Sequence, residues 1–155
     1  MSSRVFRSTL FSSVAALLLA ATGTHASAAC RVLTAPEGWS ASSVQWEGAC
    51  IGDNADGLGV LKDVQGGVVK RSFLGRASKG ELLLGVLEEP GKPWVAGHFD
   101  KGRLLPTEDR WPAISAFEEA AKAATEAAGR LDSAGDKPGA QALRGKSDLL
   151  RKQMD

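Results

Sequence analysis

Apolar and polar residues alternate over residues 44–50, with Val44, Trp46 and Gly48 on one side and Gln45 and Glu47 on the other. That period of two predicts a strand with one buried face. A second strand begins at residues 57–61, and Gln65-Gly66-Gly67-Val68 has the form of a two-glycine hairpin turn. Residues 68–73 predict a third strand. Residues 82–88 predict a fourth, followed by a turn at Glu89-Pro90-Gly91. Residues 94–99 predict a fifth, closed by Lys101-Gly102. Beyond Pro106 the period changes. Ile114, Phe117, Ala121, Ala124, Ala128 and Leu131 recur at steps of three and four, the stripe of an amphipathic helix. Pro112 suits its first turn, with Glu108 and Asp109 near its positive end. Residues 134–139 break the helix. A shorter one follows, with Ala140, Leu143, Leu150 and Met154 along one side. The expected fold is α+β: mainly a ladder of antiparallel β-hairpins, with a C-terminal helical hairpin that either caps the ladder or reaches a partner.

Glycines and bulky apolar residues recur within the strand region. Trp46-Glu47-Gly48 precedes Gly57-Leu58-Gly59-Val60. Phe73-Leu74-Gly75 precedes Gly80 and Gly85-Val86. Val95-Ala96-Gly97 precedes Phe99 and Gly102. The copies start 27 and 22 residues apart, at 46, 73 and 95. Such self-similarity signals short stacked units. The segment resembles MORN repeats, whose pattern is an aromatic, any residue, Gly, four variable residues, Gly, three variable, Gly, any, Gly, Val. Trp46, Gly48, Gly57, Gly59 and Val60 fall on that pattern, with the middle glycine displaced to Gly52. Phe73, Gly75, Gly80, Gly85 and Val86 follow it one residue short, and Val95, Gly97, Phe99 and Gly102 fit its first half. The resemblance covers residues 46–102. It implies a curved hairpin ladder used as a binding or scaffolding surface, with these positions serving the repeat rather than chemistry. The first copy, with Cys50, is similar to exported bacterial variants that pair an early cysteine with one in the first repeat.

The N-terminus carries an address. Arg4 and Arg7 precede the apolar run at residues 14–21, and small residues reach Ala28 and Ala29. Basic, apolar and small-residue regions in this order predict a secretory signal peptide over residues 1–29. The apolar run is too short to span about 30 Å of hydrocarbon. The expected location is the periplasm or the exterior. Three segments follow: a polar stretch at 30–45, the repeats at 46–105, and a helical tail at 107–155. Cleavage would remove two of the 19 basic residues and none of the 18 acidic ones, leaving a net charge of −1. That balance offers no basic field for nucleic acid or anionic lipid. Cys30 and Cys50 remain, and an oxidising compartment favours a disulfide between them. The alternatives are two free thiols, or a lipidated Cys30 that would make an outer-membrane lipoprotein and bring the only membrane association. A lipoprotein signal would place Leu three residues before Cys30, where Ser27 stands.

Catalytic chemistry is scarce in residues 30–155. His98 is the sole histidine there, and no serine sits in a Gly-x-Ser-x-Gly elbow. On a strand His98 and Ala96 share one face, while Val95, Gly97 and Phe99 share the other. No cysteine has zinc-type spacing to a second Cys or a His. Asp53-Asn54-Ala55-Asp56-Gly57 lacks the closing Glu of a calcium loop and reads as a hairpin turn. Glu118-Glu119 reads as a solvated helix face. No catalytic residue, metal or cofactor is expected. A protein partner is, with Trp39, Trp94 and His98 as its candidate surface and core packing as the default for the aromatics. Two functions fit: a non-enzymatic exported binding or scaffold protein, marked by a groove along the ladder, and a periplasmic inhibitor or immunity protein against a cell-wall or toxin enzyme, marked by acidic or aromatic residues on a protruding loop.

Overall fold

The computed structural model describes residues 30–155; the expected signal peptide lies outside the described residues. One six-stranded antiparallel sheet follows chain order: β1 (Val44–Ile51), β2 (Asn54–Gln65), β3 (Val68–Ser78), β4 (Glu81–Glu88), β5 (Val95–Asp100) and β6 (Arg103–Leu104). Two helices complete the α+β fold, α1 (Trp111–Ser133) and α2 (Lys137–Arg151). Strands β2 and β3 are longer than their apolar pattern suggests. Residues 54–57 belong to β2, so the expected turn at residues 53–57 is corrected to Gly52-Asp53. The polar side chains there are held in the strand from outside: Asp56 accepts a hydrogen bond from the backbone N–H of Lys79 at 2.9 Å. The hairpin turns at Gly66-Gly67, Lys79-Gly80 and Lys101-Gly102 put both central residues at positive φ. That geometry matches the right-handed twist of paired strands.

The repeated glycines form one row across the sheet. Gly48 lies opposite Gly59, Gly59 opposite Gly75, Gly75 opposite Gly85, and Gly85 opposite Gly97. At Gly59 and Gly85 aromatic rings occupy the space a side chain would fill, whereas at Gly48 and Gly75 the nearest atoms are those of the facing backbone. A Cβ on Gly59 would lie 2.7 Å from Cε2 of Trp46, and one on Gly85 would lie 2.6 Å from Cζ of Phe73. Trp46 and Phe73 are buried on this face with Leu61, Leu82 and Phe99, and the Phe73 and Phe99 rings meet edge to face at 5.5 Å.

Residues 30–43 cover this face and lace the turns at one end of the sheet. Arg31 N–H donates to Asp53, Leu33 N–H to Gly80 and Glu37 N–H to Gly102. Cys30 is disulfide-bonded to Cys50, with Cα atoms 6.1 Å apart, which anchors the start of the segment to β1. Pro36 is fully buried, and Val32 and Trp39 pack against the aromatic cluster.

The opposite face carries Leu58, Val60, Leu74 and Val86, covered by α1. This helix lies across β2 to β5 and pairs with α2. It therefore covers the face of the ladder rather than closing its end. Seven of its alanines between Ala116 and Ala128 are buried, more than the single stripe predicts. Small side chains let the helix approach the sheet on one side and α2 on the other. Helix α2 begins earlier than expected, at Lys137. Pro138 lies in its first turn and Asp136 caps it by accepting from Gly139 N–H at 3.0 Å. Its inner side adds a buried Ser147, bonded to the Ala121 carbonyl at 2.9 Å and to Thr125 at 3.0 Å.

Polar tethers fix the helices to the sheet. Arg76 on β3 pairs with Glu119 on α1 at 2.5 Å, and Glu119 is mostly buried. This corrects the expectation of a solvated Glu118-Glu119 face: only Glu118 points to solvent, in an ion pair with Lys122. Arg130 donates to the Glu47 carbonyl at 3.1 Å. Lys146 on α2 pairs with Glu88 on β4. Burial raises the pKa of Glu119, but the hydrogen bonds and charges of Arg76 and Lys122 outweigh it and hold the carboxyl below its ordinary value.

Candidate functional site

The end of the sheet away from the laced turns carries an open cleft. Pro90 and Pro93 lack a backbone N–H, so the connection between β4 and β5 cannot zip into a tight hairpin. It bows out opposite the start of β3, and α2 reaches the gap from the helical layer. The cleft between them has a volume of about 430 Å³, within the size range of ordinary small-ligand sites. Trp94 forms part of its wall, half-buried, with its ring 5.9 Å from that of Phe117. Polar and charged groups line the rest of the cleft. Ser72 donates to Glu88 at 3.3 Å, Lys146 pairs with the same carboxylate, and Lys92 pairs with Glu89 at 3.0 Å.

Beside the cleft lies a buried polar cluster. Asp63 is inaccessible to solvent and accepts from Ser43 at 2.5 Å, Gln65 at 3.0 Å and Arg71 at 2.6 and 2.8 Å. The Arg71 guanidinium also lies 4.9 Å above the Trp39 ring. Burial alone would raise the Asp63 pKa. The donors Ser43, Arg71 and Gln65, with the charge of Arg71, outweigh it and hold the carboxyl below its ordinary value. A buried charge matched by this many donors is a structural tie. It clamps residues 38–43 to β2 and β3.

A second exposed feature lies at the other edge of the sheet. Residues 103–111, which run from β6 through the connection to the first residue of α1, form the longest unbroken exposed run among the described residues. It contains Leu104, Leu105 and Trp111, the last 67% exposed. Trp111 occupies the first position of α1, where Asp109 accepts its backbone N–H at 3.0 Å and Pro112 follows. The start of a helix that lies on a sheet projects past the sheet edge, so the indole is left in solvent.

The expected partner residues do not form one patch. Trp39 packs on the face covered by residues 30–43, beneath Arg71. Trp94 packs with the helix-side cluster and opens to the cleft. His98 is exposed on β5, opposite Leu84, while Phe99 is buried on the other face, as alternation predicts. Sequence reasoning passed over Trp111, although its place between Asp109 and Pro112 marks an exposed first helical turn. It also passed over Lys146 and Asp63, whose roles depend on strands and helices distant in sequence. Among the described residues no group of three or more His, Cys, Asp or Glu side chains could hold a metal ion. None of the helices there is long and apolar enough to cross a membrane. Comparison with family models, with curated proteins and with solved structures finds no match.

Proposed function

We propose that this chain is an exported, non-enzymatic protein-binding module built on MORN-like hairpins, which engages its partner through residues 103–111. The observation that carries the reading is the exposure of Trp111, with Leu104 and Leu105 exposed in the same stretch of chain. An exposed tryptophan is the material of an interface anchor, and neighbouring apolar side chains extend the patch around it. The row of paired glycines under aromatic rings supports the repeat reading. The Cys30–Cys50 disulfide is consistent with export.

A second reading, an inhibitor or immunity protein, is favoured by a specific feature. Both faces of the ladder are already covered, one by α1 and one by residues 30–43. What projects is an aromatic on a connecting segment rather than a groove along the strands.

A photo-crosslinking residue placed at Trp111 tests the site, with the same residue at exposed Glu126 as control. A discrete adduct from position 111 alone is expected in periplasmic material. Equal labelling from both positions, or none from 111, would remove residues 103–111 as the partner surface. If the captured partner is a hydrolase or toxin and the pure protein slows it, the inhibitor reading replaces the scaffold reading.

A further inference from the structure

We propose that the cleft beside Trp94 binds an uncharged, hydroxyl-rich ligand, a neutral oligosaccharide of about two rings, with the indole as its stacking wall. The class follows from the charges around the cavity. Lys146 faces Glu88, Lys92 faces Glu89, and Arg71 is taken up by Asp63, which leaves Lys70, among the described residues, as the one lining cation outside these ion pairs. A polyanion would meet the two glutamates, and a polycation would meet the lysines. Sugar hydroxyls both donate and accept. They match an array in which ammonium donors, carboxylate acceptors and the Ser72 hydroxyl alternate.

Trp94 supplies the apolar component. The electron-rich face of an indole attracts the polarised C–H groups of a sugar ring. Phe117 backs the ring from the helix side, which fixes its orientation before a ligand arrives. The cavity of about 430 Å³ is shaped by three separate elements: the start of β3, the proline-bounded connection after β4, and Lys146 of α2. The site is therefore a product of the fold and not of one mobile loop. It is distinct from the exposed residues 103–111.

The test is a titration of the oxidised protein with cellobiose, maltose and diacetylchitobiose, followed by amide and indole NMR shifts. At least one sugar is expected to shift the Trp94 indole and the Ser72 amide, with a Kd of roughly 0.1–10 mM, as for weak single-site recognition. Trp94→Ala should weaken binding at least tenfold. Because Trp94 also packs on Phe117, Ser72→Ala provides a second variant that leaves this contact in place; it should weaken binding severalfold without changing the melting temperature. Glu126→Ala, on the exposed side of α1 and outside the cleft, should leave the affinity unchanged. The proposal fails if none of the three sugars shifts these resonances at about 50 mM, well above that range. It fails equally if both cleft variants bind like the parent, or if only a charged disaccharide such as a uronic-acid dimer binds.

Discussion

Replacing Gly59 with alanine puts one methyl group where the Trp46 indole lies. A Cβ there would be 2.7 Å from Cε2 and 2.8 Å from Cη2 of the ring, well inside the 3.5–4.0 Å of ordinary carbon contact. The indole has little room to retreat. It is 4% exposed, it packs with Leu61 and Phe73, and its N–H donates to the Ala49 carbonyl at 3.0 Å. The backbone of Gly59 is not the obstacle, because its φ is not in the left-handed region, unlike that of Gly57 at +103°. The cost is therefore one of overpacking, about 1–3 kcal/mol. Part of it is offset by the lower chain entropy of alanine in the unfolded state. Thermal unfolding followed by circular dichroism should show Tm falling by roughly 3–10 °C for a domain of this size. The same substitution in a Trp46→Leu background isolates the ring, since leucine leaves the space above residue 59. The two changes should couple by about 1–2 kcal/mol, as for side chains in contact. An equal loss from Gly59→Ala in both backgrounds would refute the idea that the glycine row exists to seat aromatic rings.

The other expectations concern the fastenings of residues 30–43 and the exposed histidine. Changing Cys30 and Cys50 together to serine should lower unfolding free energy by about 3 kcal/mol, from the loop that the bond closes; a urea midpoint that matches the oxidised parent would contradict this. Asp63→Asn should cost roughly 2–3 kcal/mol near neutral pH, because Arg71 loses its charged partner. The pKa of Asp63 is lower folded than unfolded. Its contribution is therefore complete above the unfolded value near 4 and is lost as pH falls through the folded value. Stability measured from pH 7 down to pH 2 should decline less steeply in the variant, with Glu119 and Asp132, also depressed, supplying the remaining slope. Identical pH profiles would place the ionised carboxylate elsewhere. His98→Ala should change stability by less than about 0.5 kcal/mol, as for an exposed strand residue, and should leave any measurable activity intact; a hundredfold loss of a hydrolytic activity would instead make His98 a general base.

The local devices of this fold were legible in the chain itself. Alternation at Val44–Trp46–Gly48, the Gly66-Gly67 turn, the Glu89-Pro90-Gly91 turn after the fourth strand, and the three-four stripe ending before Gly135 each depend on neighbours within a few residues. So does the face taken by His98. Their conformations are set by steric and hydrogen-bonding preferences that travel with the sequence. The alignment of Gly48, Gly59, Gly75, Gly85 and Gly97 into one row was present only as a recurrence. Register converts that recurrence into a trough for Trp46 and Phe73.

Other features were decided by packing across distance. Which face α1 would cover could not be read from its stripe, because alanine is small enough to pack against sheet and helix alike. Residues 30–43 look like a polar approach to the first strand, yet backbone hydrogen bonds to three separate turns hold them over the aromatic face. Glu119 reads as a solvated charge, and nothing in the local sequence sets Asp63 apart. They are buried because Arg71, one strand away, and Arg76, on a different layer, supply donors that make burial affordable. Lys146 and Trp94 come together at the cleft although they lie on different layers. Trp111 is exposed because the start of α1 extends beyond the strands it crosses. Sequence specifies the conformation of each segment, whereas solvent access and charge pairing belong to the assembled whole.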